Sequence, residues 1–166
     1  MRLEDVFARH HAELYRYAAR FTGDADLAED VVQDAFVRLA EKPPRDGSQL
    51  RAWLFRVTTT IAIDVMRTTG RRLSLVEAKA DRIPVARPPA DALDLVEREE
   101  LRASVRAALA TLNGKERAVL LMREEGFAHR EIAEAVGTTT GSVGTMFARA
   151  LEKLAQRLDL DAEDAR

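Results

Sequence analysis

Residues 130–154 read REIAEAVGTTTGSVGTMFARALEKL, and this stretch decides the fold. A short helix with Ile132, Ala133 and Val136 facing inward stops at Gly137, a residue free to adopt the left-handed conformation that closes a helix. A longer helix opens near Thr140, whose hydroxyl is placed to cap it. Its inward stripe is Val143, Phe147, Ala150, Leu151, Leu154 and Leu158, at three- and four-residue spacing. The small Ala133 lets the helices cross closely, and Val143 and Phe147 pack the angle between them. That is the form of a helix-turn-helix. On the second helix Ser142, Thr145, Arg149 and Lys153 point away from the stripe, able to reach a DNA major groove. Thr138, Thr139 and the first amides can meet phosphates, with Arg130 beside them. A helical hairpin used only for packing has the same outline.

Upstream of this motif the chain is helical throughout. Leu3, Phe7, His11, Leu14, Ala18 and Phe21 form an apolar stripe over 3–22, stopped by Gly23. Asp26 and Glu29 have capping-box spacing for a helix running to about Lys42, with Ala28, Val31, Ala35 and Leu39 inward. Pro43-Pro44 ends it. Ser48 is the expected cap of a third helix, whose stripe is Leu50, Trp53, Leu54, Val57, Ile61 and Val65. Phe55, Ile63 and Met66 occupy its other side, and a helix apolar nearly all round belongs at the centre of a bundle. Gly70 is its expected stop. Residues 73–90 lose periodicity and contain Pro84, Pro88 and Pro89, as a linker does. A helix follows from about Asp91 to Leu112, with Val105, Ala108, Leu109 and Leu112 on one face. Asn113-Gly-Lys-Glu116 then opens another helix, ending at Gly126, with a second capping box. His129–Val136 is the short helix of the opening motif. The expected class is all-α: two small helical domains joined by a flexible linker, the second containing the helix-turn-helix. The tail 159–166, with four acids and one base, is expected to fray.

The composition suits such a chain. Of 166 residues, 46% are hydrophobic, 33% charged and 5% aromatic, a globular balance. The absence of cysteine excludes disulfides, thiolate zinc sites, cysteine nucleophiles and thiol redox sensing. No long apolar run and no signal-peptide pattern are present, so a soluble, cytoplasmic protein is expected. The net charge of −2 gives no bulk argument for nucleic acid, but its distribution is uneven. Residues 1–46 carry −3 and residues 47–72 carry +4, from Arg51, Arg56, Arg67, Arg71 and Arg72 against Asp64. A short basic stretch in an acidic chain localises an anion-binding face, although a solvated helix flank has the same composition. An enzyme is disfavoured. There is no Gly-rich phosphate loop and no nucleophile–base pattern, and His10-His11 with Glu13 fits packing better than a metal site. No catalytic residue, metal or cofactor is expected.

Two blocks carry a family resemblance. LAEDVVQDAFVRLAEK followed by LRAWLFRVTTTIAIDVMR resembles the second conserved region of bacterial RNA polymerase sigma factors. ALATLNGKERAVLLMREEGFAHREIAEAVGTTTGSVGTMFARALEKL resembles their fourth region. The short length, with little between the blocks, is similar to the extracytoplasmic-function (ECF) group. The domains implied are region two over 1–72, a linker over 73–96, region four over 97–158 and an acidic tail. The resemblance implies a dissociable polymerase subunit that selects promoters. It assigns Asp30, Gln33, Asp34 and Arg38 to the grip on core polymerase. It assigns Arg51, Arg56, Thr60, Arg67, Arg71 and Arg72 to the melted minus-ten element, with the loop 43–49 as the base-specificity loop. It assigns Arg130, Thr138, Thr139, Ser142, Thr145, Arg149 and Lys153 to the minus-thirty-five element. An anti-sigma factor or other gating protein is the further partner implied.

The sequence departs from the family in places. Thr60 stands where Asn is frequent, and Ala128 where Ser or Thr caps. Gly144 and Met146 replace two basic residues of the usual recognition helix, which implies weak or unusual minus-thirty-five binding. Trp53 reads as core, while Phe55 suits either core or a base platform. The competing function is a stand-alone DNA-binding regulator whose N-terminal half is an interaction bundle. Binding to core polymerase separates the two.

Overall fold

The computed structural model describes residues 2–73 and 92–164, with side chains described over 2–69 and 96–159. Most of the expected linker, including Pro84, Pro88 and Pro89, therefore lies outside the described residues, as do the side chains of Arg71 and Arg72. The order is α1 (Leu3–Thr22), α2 (Ala25–Glu41), a 3₁₀ turn (Gly47–Gln49), α3 (Leu50–Leu73), α4 (Ala92–Ala110), α5 (Gly114–Glu124), α6 (His129–Val136) and α7 (Thr140–Asp164). The described residues contain no strand, and no helix among them is long and apolar enough to cross a membrane.

Helix boundaries follow local chemistry, with several shifts from the sequence expectations. Asp24, not Asp26, caps α2: its carboxylate accepts from the Leu27 N–H at 2.8 Å. Ser48 does not cap α3. Asp46 caps the preceding 3₁₀ turn by accepting from the Ser48 N–H at 2.9 Å, and the turn runs directly into α3. Hydrogen bonds from the Ser48 hydroxyl and N–H hold the Asp46 carboxyl below the usual carboxylate range. Gly70 does not stop α3, which continues to Leu73; a glycine inside a helix costs only about 1 kcal/mol relative to alanine. At α5 the capping box is present, with Asn113 Oδ1 accepting from the Glu116 N–H and Glu116 Oε2 from the Asn113 N–H. Gly137 closes α6 at φ 69°. Thr139, one residue before the expected Thr140, accepts from the Ser142 N–H at 3.3 Å. The tail does not fray at residue 159: α7 continues to Asp164.

In the N-terminal unit, α1, α2 and α3 pack around Leu14, Tyr17, Ala18, Phe21, Val31, Val32, Ala35, Leu54 and Phe55, all essentially inaccessible. Leu3 and Phe7, expected inward, are exposed, because Val6 and Tyr17 take the inward register of α1. In the C-terminal unit, Ala118, Val119, Leu121, Met122, Ile132, Ala133, Val136 and Val143 pack the helix-turn-helix onto α5. Leu109, Leu112 and Ala150 form a smaller cluster where α4 meets α7, and Leu151, expected in the stripe, is exposed.

The two units do not stand apart. Buried residues of both belong to one continuous core, in which α3 packs against α5 and α6. Phe55 of α3 meets Phe127 of the α5–α6 loop with ring centroids 4.8 Å apart.

Candidate nucleic-acid interface

On α2, burial of Val31, Val32, Ala35, Phe36 and Leu39 turns Asp30, Gln33, Asp34 and Arg38 outward together. This is the face the sequence marked. Val37 is 55% exposed at its centre, an apolar residue that the polar pattern had hidden. An exposed valine among carboxylates suits a protein surface better than a phosphate backbone.

The basic stretch of α3 is arranged otherwise. Arg51 Nε donates to Glu13 Oε2 at 3.1 Å, and its Nη2 lies 3.5 Å from Glu125 Oε2 of the C-terminal unit. Its guanidinium sits 4.7 Å from the centroids of both Phe55 and Phe127, a cation held between two aromatic faces. Arg56 Nη1 lies 3.7 Å from Glu134 Oε2 of α6. Thr60 is exposed, and its hydroxyl donates to the Arg56 carbonyl at 2.9 Å. Arg67 is exposed and bonded to Asp64, one turn earlier, at 2.9 Å.

Of the two aromatic candidates, Phe55 is fully buried between Tyr17 and Phe127, so it is core and offers no platform in this arrangement. Trp53 is half-buried. With Pro43, Pro44, Gln49 and Arg56 it lines a cleft of about 340 Å³, completed from α6 by Glu131 and Glu134. Thr58 and Thr59 are buried, which removes them as accessible hydroxyls. Tyr17 and Thr59 share a hydrogen bond of 2.7 Å, and burial pushes the Tyr17 phenol well above its ordinary pKa.

In the helix-turn-helix, Thr145 and Arg149 are exposed on one side of α7, with Ser142 half-buried at its start. Thr139 and Ser142 hydroxyls lie 2.7 Å apart at the helix N-terminus, next to the half-buried Thr138. Arg130 is exposed, and its Nε bonds to Glu134 at 3.3 Å. Lys153 is already engaged: Nζ donates to Glu116 Oε1 at 2.6 Å, tying α7 to the start of α5. Partial burial acts to raise the Glu116 carboxyl, but Lys153 and the Asn113 N–H outweigh it and hold it below the usual value. Gly144 is open on its outer side, while Met146 is half-buried, so only the first of the two non-basic positions faces solvent.

Several residues to which the sequence reading gave no part in these surfaces connect them. Glu13, Glu125 and Glu134 pair with Arg51 and Arg56 of α3. Arg20 of α1 reaches Glu124 at 2.8 Å and also bonds Glu125. Arg117 of α5 is 4% exposed. It donates to the carbonyls of Phe21 at 2.5 Å and of Leu112 at 3.2 Å, and burial lowers its pKa. The available signal was a lone Phe127 in a turn after Gly126, and an arginine set directly before the apolar run of α5. His10 pairs with Glu13, and His11 stacks near Phe7, Tyr15 and Phe36. Among the described residues no three His, Asp or Glu gather as a metal site.

Comparison with known proteins agrees with this division. The Sigma-70 region 2 family matches residues 6–72, and Sigma-70 region 4 matches residues 102–154. ECF RNA polymerase sigma factor SigL of Mycobacterium tuberculosis is 34% identical over 142 residues, covering 83% of this chain and 78% of that protein. ECF RNA polymerase sigma factor SigE of Mycolicibacterium smegmatis is 30% identical over 154 residues. That match takes in 90% of this chain but only 59% of SigE. Among solved structures, CnrH in complex with the cytosolic domain of CnrY superposes with a TM-score of 0.65 at 27% identity, over 96% of this chain and 88% of CnrH. Sigma factor RpoE, in complex with the anti-sigma factor NepR from Bartonella quintana, shares the fold with a TM-score of 0.71 at 24% identity, over 95% of this chain and 97% of RpoE. With both conserved regions in order on the all-α architecture that the residues themselves build, the chain belongs to the ECF group of RNA polymerase sigma factors.

Proposed function

We propose that this chain binds core RNA polymerase in the cytoplasm and directs it to a particular set of promoters. The observation that carries the reading is the separation of two unlike surfaces on one short chain. An acidic-polar face on α2 with Val37 at its centre suits a protein partner, and α7, the second helix of the helix-turn-helix, presents Thr145 and Arg149 to solvent. In this reading Asp30, Gln33, Asp34 and Arg38 grip the polymerase. Arg51, Arg56, Arg67, Arg71 and Arg72 follow the phosphates of the melted minus-ten strand. Thr60 adds a hydroxyl beside them, and the cleft at Trp53 and the loop 43–49 receives an unstacked base, a contact worth about 1–3 kcal/mol. Ser142, Thr145 and Arg149 read the minus-thirty-five duplex, while Thr138, Thr139 and Arg130 meet its backbone. Lys153 serves chiefly as a partner of Glu116. The chain contributes recognition and strand separation, leaving nucleotide chemistry to the core enzyme. By its likeness to CnrH, solved with CnrY, a gating protein partner is also inferred.

The test is run-off transcription from a genomic promoter pool with core polymerase, alongside co-purification with core. Promoter-specific transcripts that require the chain are the expected result. Operator binding without any affinity for core would replace this reading with that of a stand-alone regulator.

A further inference from the structure

A second cleft lies further along α3, where that helix, the turn between α4 and α5, and α7 come together; it holds about 610 Å³. Its walls are apolar: Ile63 and Met66 of α3, Ala110 at the end of α4, Leu112 in the turn, and Met146 of α7. Sites for small molecules typically span about 300–1,000 Å³, with mostly apolar walls and a few converging polar groups. This cleft has that size and that kind of lining.

The polar groups that reach it are mainly cations. Arg67, Lys115, Arg117 and Arg149 line the cleft against one carboxylate, Glu116, which accepts from Lys153 Nζ at 2.6 Å. On a chain of net charge −2, this clustering makes a local positive field. Arg67 is paired with Asp64 at 2.9 Å. Lys115 and Arg149 are exposed and form no ion pair among the described residues, Arg149 acting on Glu116 only at longer range.

Arg117 lies at the floor. It is 4% exposed; Nη1 contacts Met66 Sδ at 2.8 Å and Nη2 donates to the Leu112 carbonyl at 3.2 Å, both partners being walls of the cleft. The Phe21 carbonyl is its other acceptor. Its Nε has no hydrogen-bond partner, and no carboxylate among the described residues pairs with the guanidinium. A buried cation held by neutral acceptors alone keeps an uncompensated charge, and an anion in the adjacent cleft lowers that cost. A bare inorganic anion would leave the apolar walls unused, and a neutral hydrocarbon would leave the cations unused.

We propose that this cleft binds a small amphipathic organic acid. Its apolar body lies against Ile63, Met66, Leu112 and Met146, and its carboxylate is held by Lys115 and Arg149 in the field of Arg117. Such an occupant engages Arg149 and lies beside Arg67, two side chains assigned above to promoter DNA, so it competes with DNA for them. That competition rests on the promoter reading; the binding itself does not.

Calorimetric titration of the full chain with decanoate, 1-decanol and inorganic phosphate tests the site. One saturable decanoate site per chain is expected, with decanol and phosphate each bound several-fold more weakly. Lys115→Gln removes an exposed ammonium and is expected to weaken decanoate about two- to fivefold, the usual worth of an exposed ion pair. Ala110→Trp, at an exposed position on the wall, fills the cleft and is expected to abolish saturable binding. No saturable binding by the parent, equal affinity for decanol, or undiminished binding by either variant overturns the site. In run-off transcription with core polymerase, decanoate is expected to lower output from the parent and to spare Ala110→Trp. Decanoate that binds the parent without lowering its transcription removes the competition alone. A parent inactive with core removes the promoter reading and the competition with it, while the titration still decides the site.

Discussion

α3 and α7 are the two helices assigned to DNA, and the fold treats them in opposite ways. α3 is apolar nearly all round, so it lies in the middle of the molecule with Phe55, Thr58, Thr59 and Ile61 buried and Arg51, Arg56 and Arg67 bound to carboxylates. α7 is apolar on one side only and leaves Thr145 and Arg149 to solvent. In the proposed reading α3 melts DNA, a task that calls for apolar and aromatic surface, and in this structure that surface packs against the C-terminal unit. A helix that only reads an intact groove has no such requirement. The covered and the open helix thus differ in how much apolar surface each carries.

The largest way to break this comparison is to remove the residue that joins the two units. Phe55→Ala deletes a fully buried ring packed on both Tyr17 and Phe127. It is expected to cost about 3–5 kcal/mol, the usual range for such a truncation. Because the core is continuous, the parent should unfold in a single calorimetric transition, and the variant in a single transition at lower temperature. Two transitions in the parent, with only one shifted by the substitution, would show that the units fold independently.

The next effect is confined to the C-terminal unit. Asn113→Ala removes the side chain that accepts from the Glu116 N–H and is expected to cost about 0.5–2 kcal/mol by denaturant titration. It should leave the contact between Phe55 and Phe127 in place, so tryptophan fluorescence from Trp53 keeps its native signature before unfolding.

A third prediction bears on the open helix. Gly144 has room: a Cβ there meets only His129 Cε1, at 3.9 Å. Gly144→Lys is expected to stabilise α7 by about 1 kcal/mol through helix propensity. It should also steepen the salt dependence of duplex binding by about 0.9 in log–log slope, one more phosphate being neutralised. An unchanged slope would mean that this side of α7 does not approach the backbone of DNA.

The extent to which the sequence was readable divides along the same line. Helix α6 and its stop at Gly137 were legible to the residue, because a strong local signal coincided with a tight turn. The box at Asn113 and Glu116 was legible for the same reason. The caps at Asp24 and Asp46 were missed because nearby Asp26 and Ser48 compete for the same role, and spacing alone does not separate neighbours two residues apart. The apolar side of α2 was visible as periodicity, and its polar face was marked by the family resemblance. The pairing of Arg51 and Arg56 with Glu125 and Glu134 was not, since the partners are more than 70 residues apart and each is individually unremarkable on its own helix. Phe55 was ambiguous for a related reason: a phenylalanine that serves DNA and one that serves a neighbouring unit have the same local surroundings.

The smallest expected effect is electrostatic and tests how α7 is fastened. Glu116 accepts from Lys153 of α7 and from the Asn113 N–H, and its carboxyl is held below its ordinary value of 4.5. A group whose pKa is lower in the folded chain stabilises that chain above its unfolded pKa, and the contribution disappears as pH falls through the folded value. Glu116→Gln preserves an oxygen for the capping box while removing the charge. Near neutral pH the variant is therefore expected to unfold slightly earlier than the parent, and the two should converge as pH falls through the depressed folded value of Glu116. Added salt should reduce the gap at neutral pH only in part, because Glu116 is largely shielded from solvent while Lys153 is half-exposed. A gap that persists unchanged at low pH would assign the loss to packing, leaving α7 held to α5 by its apolar stripe alone.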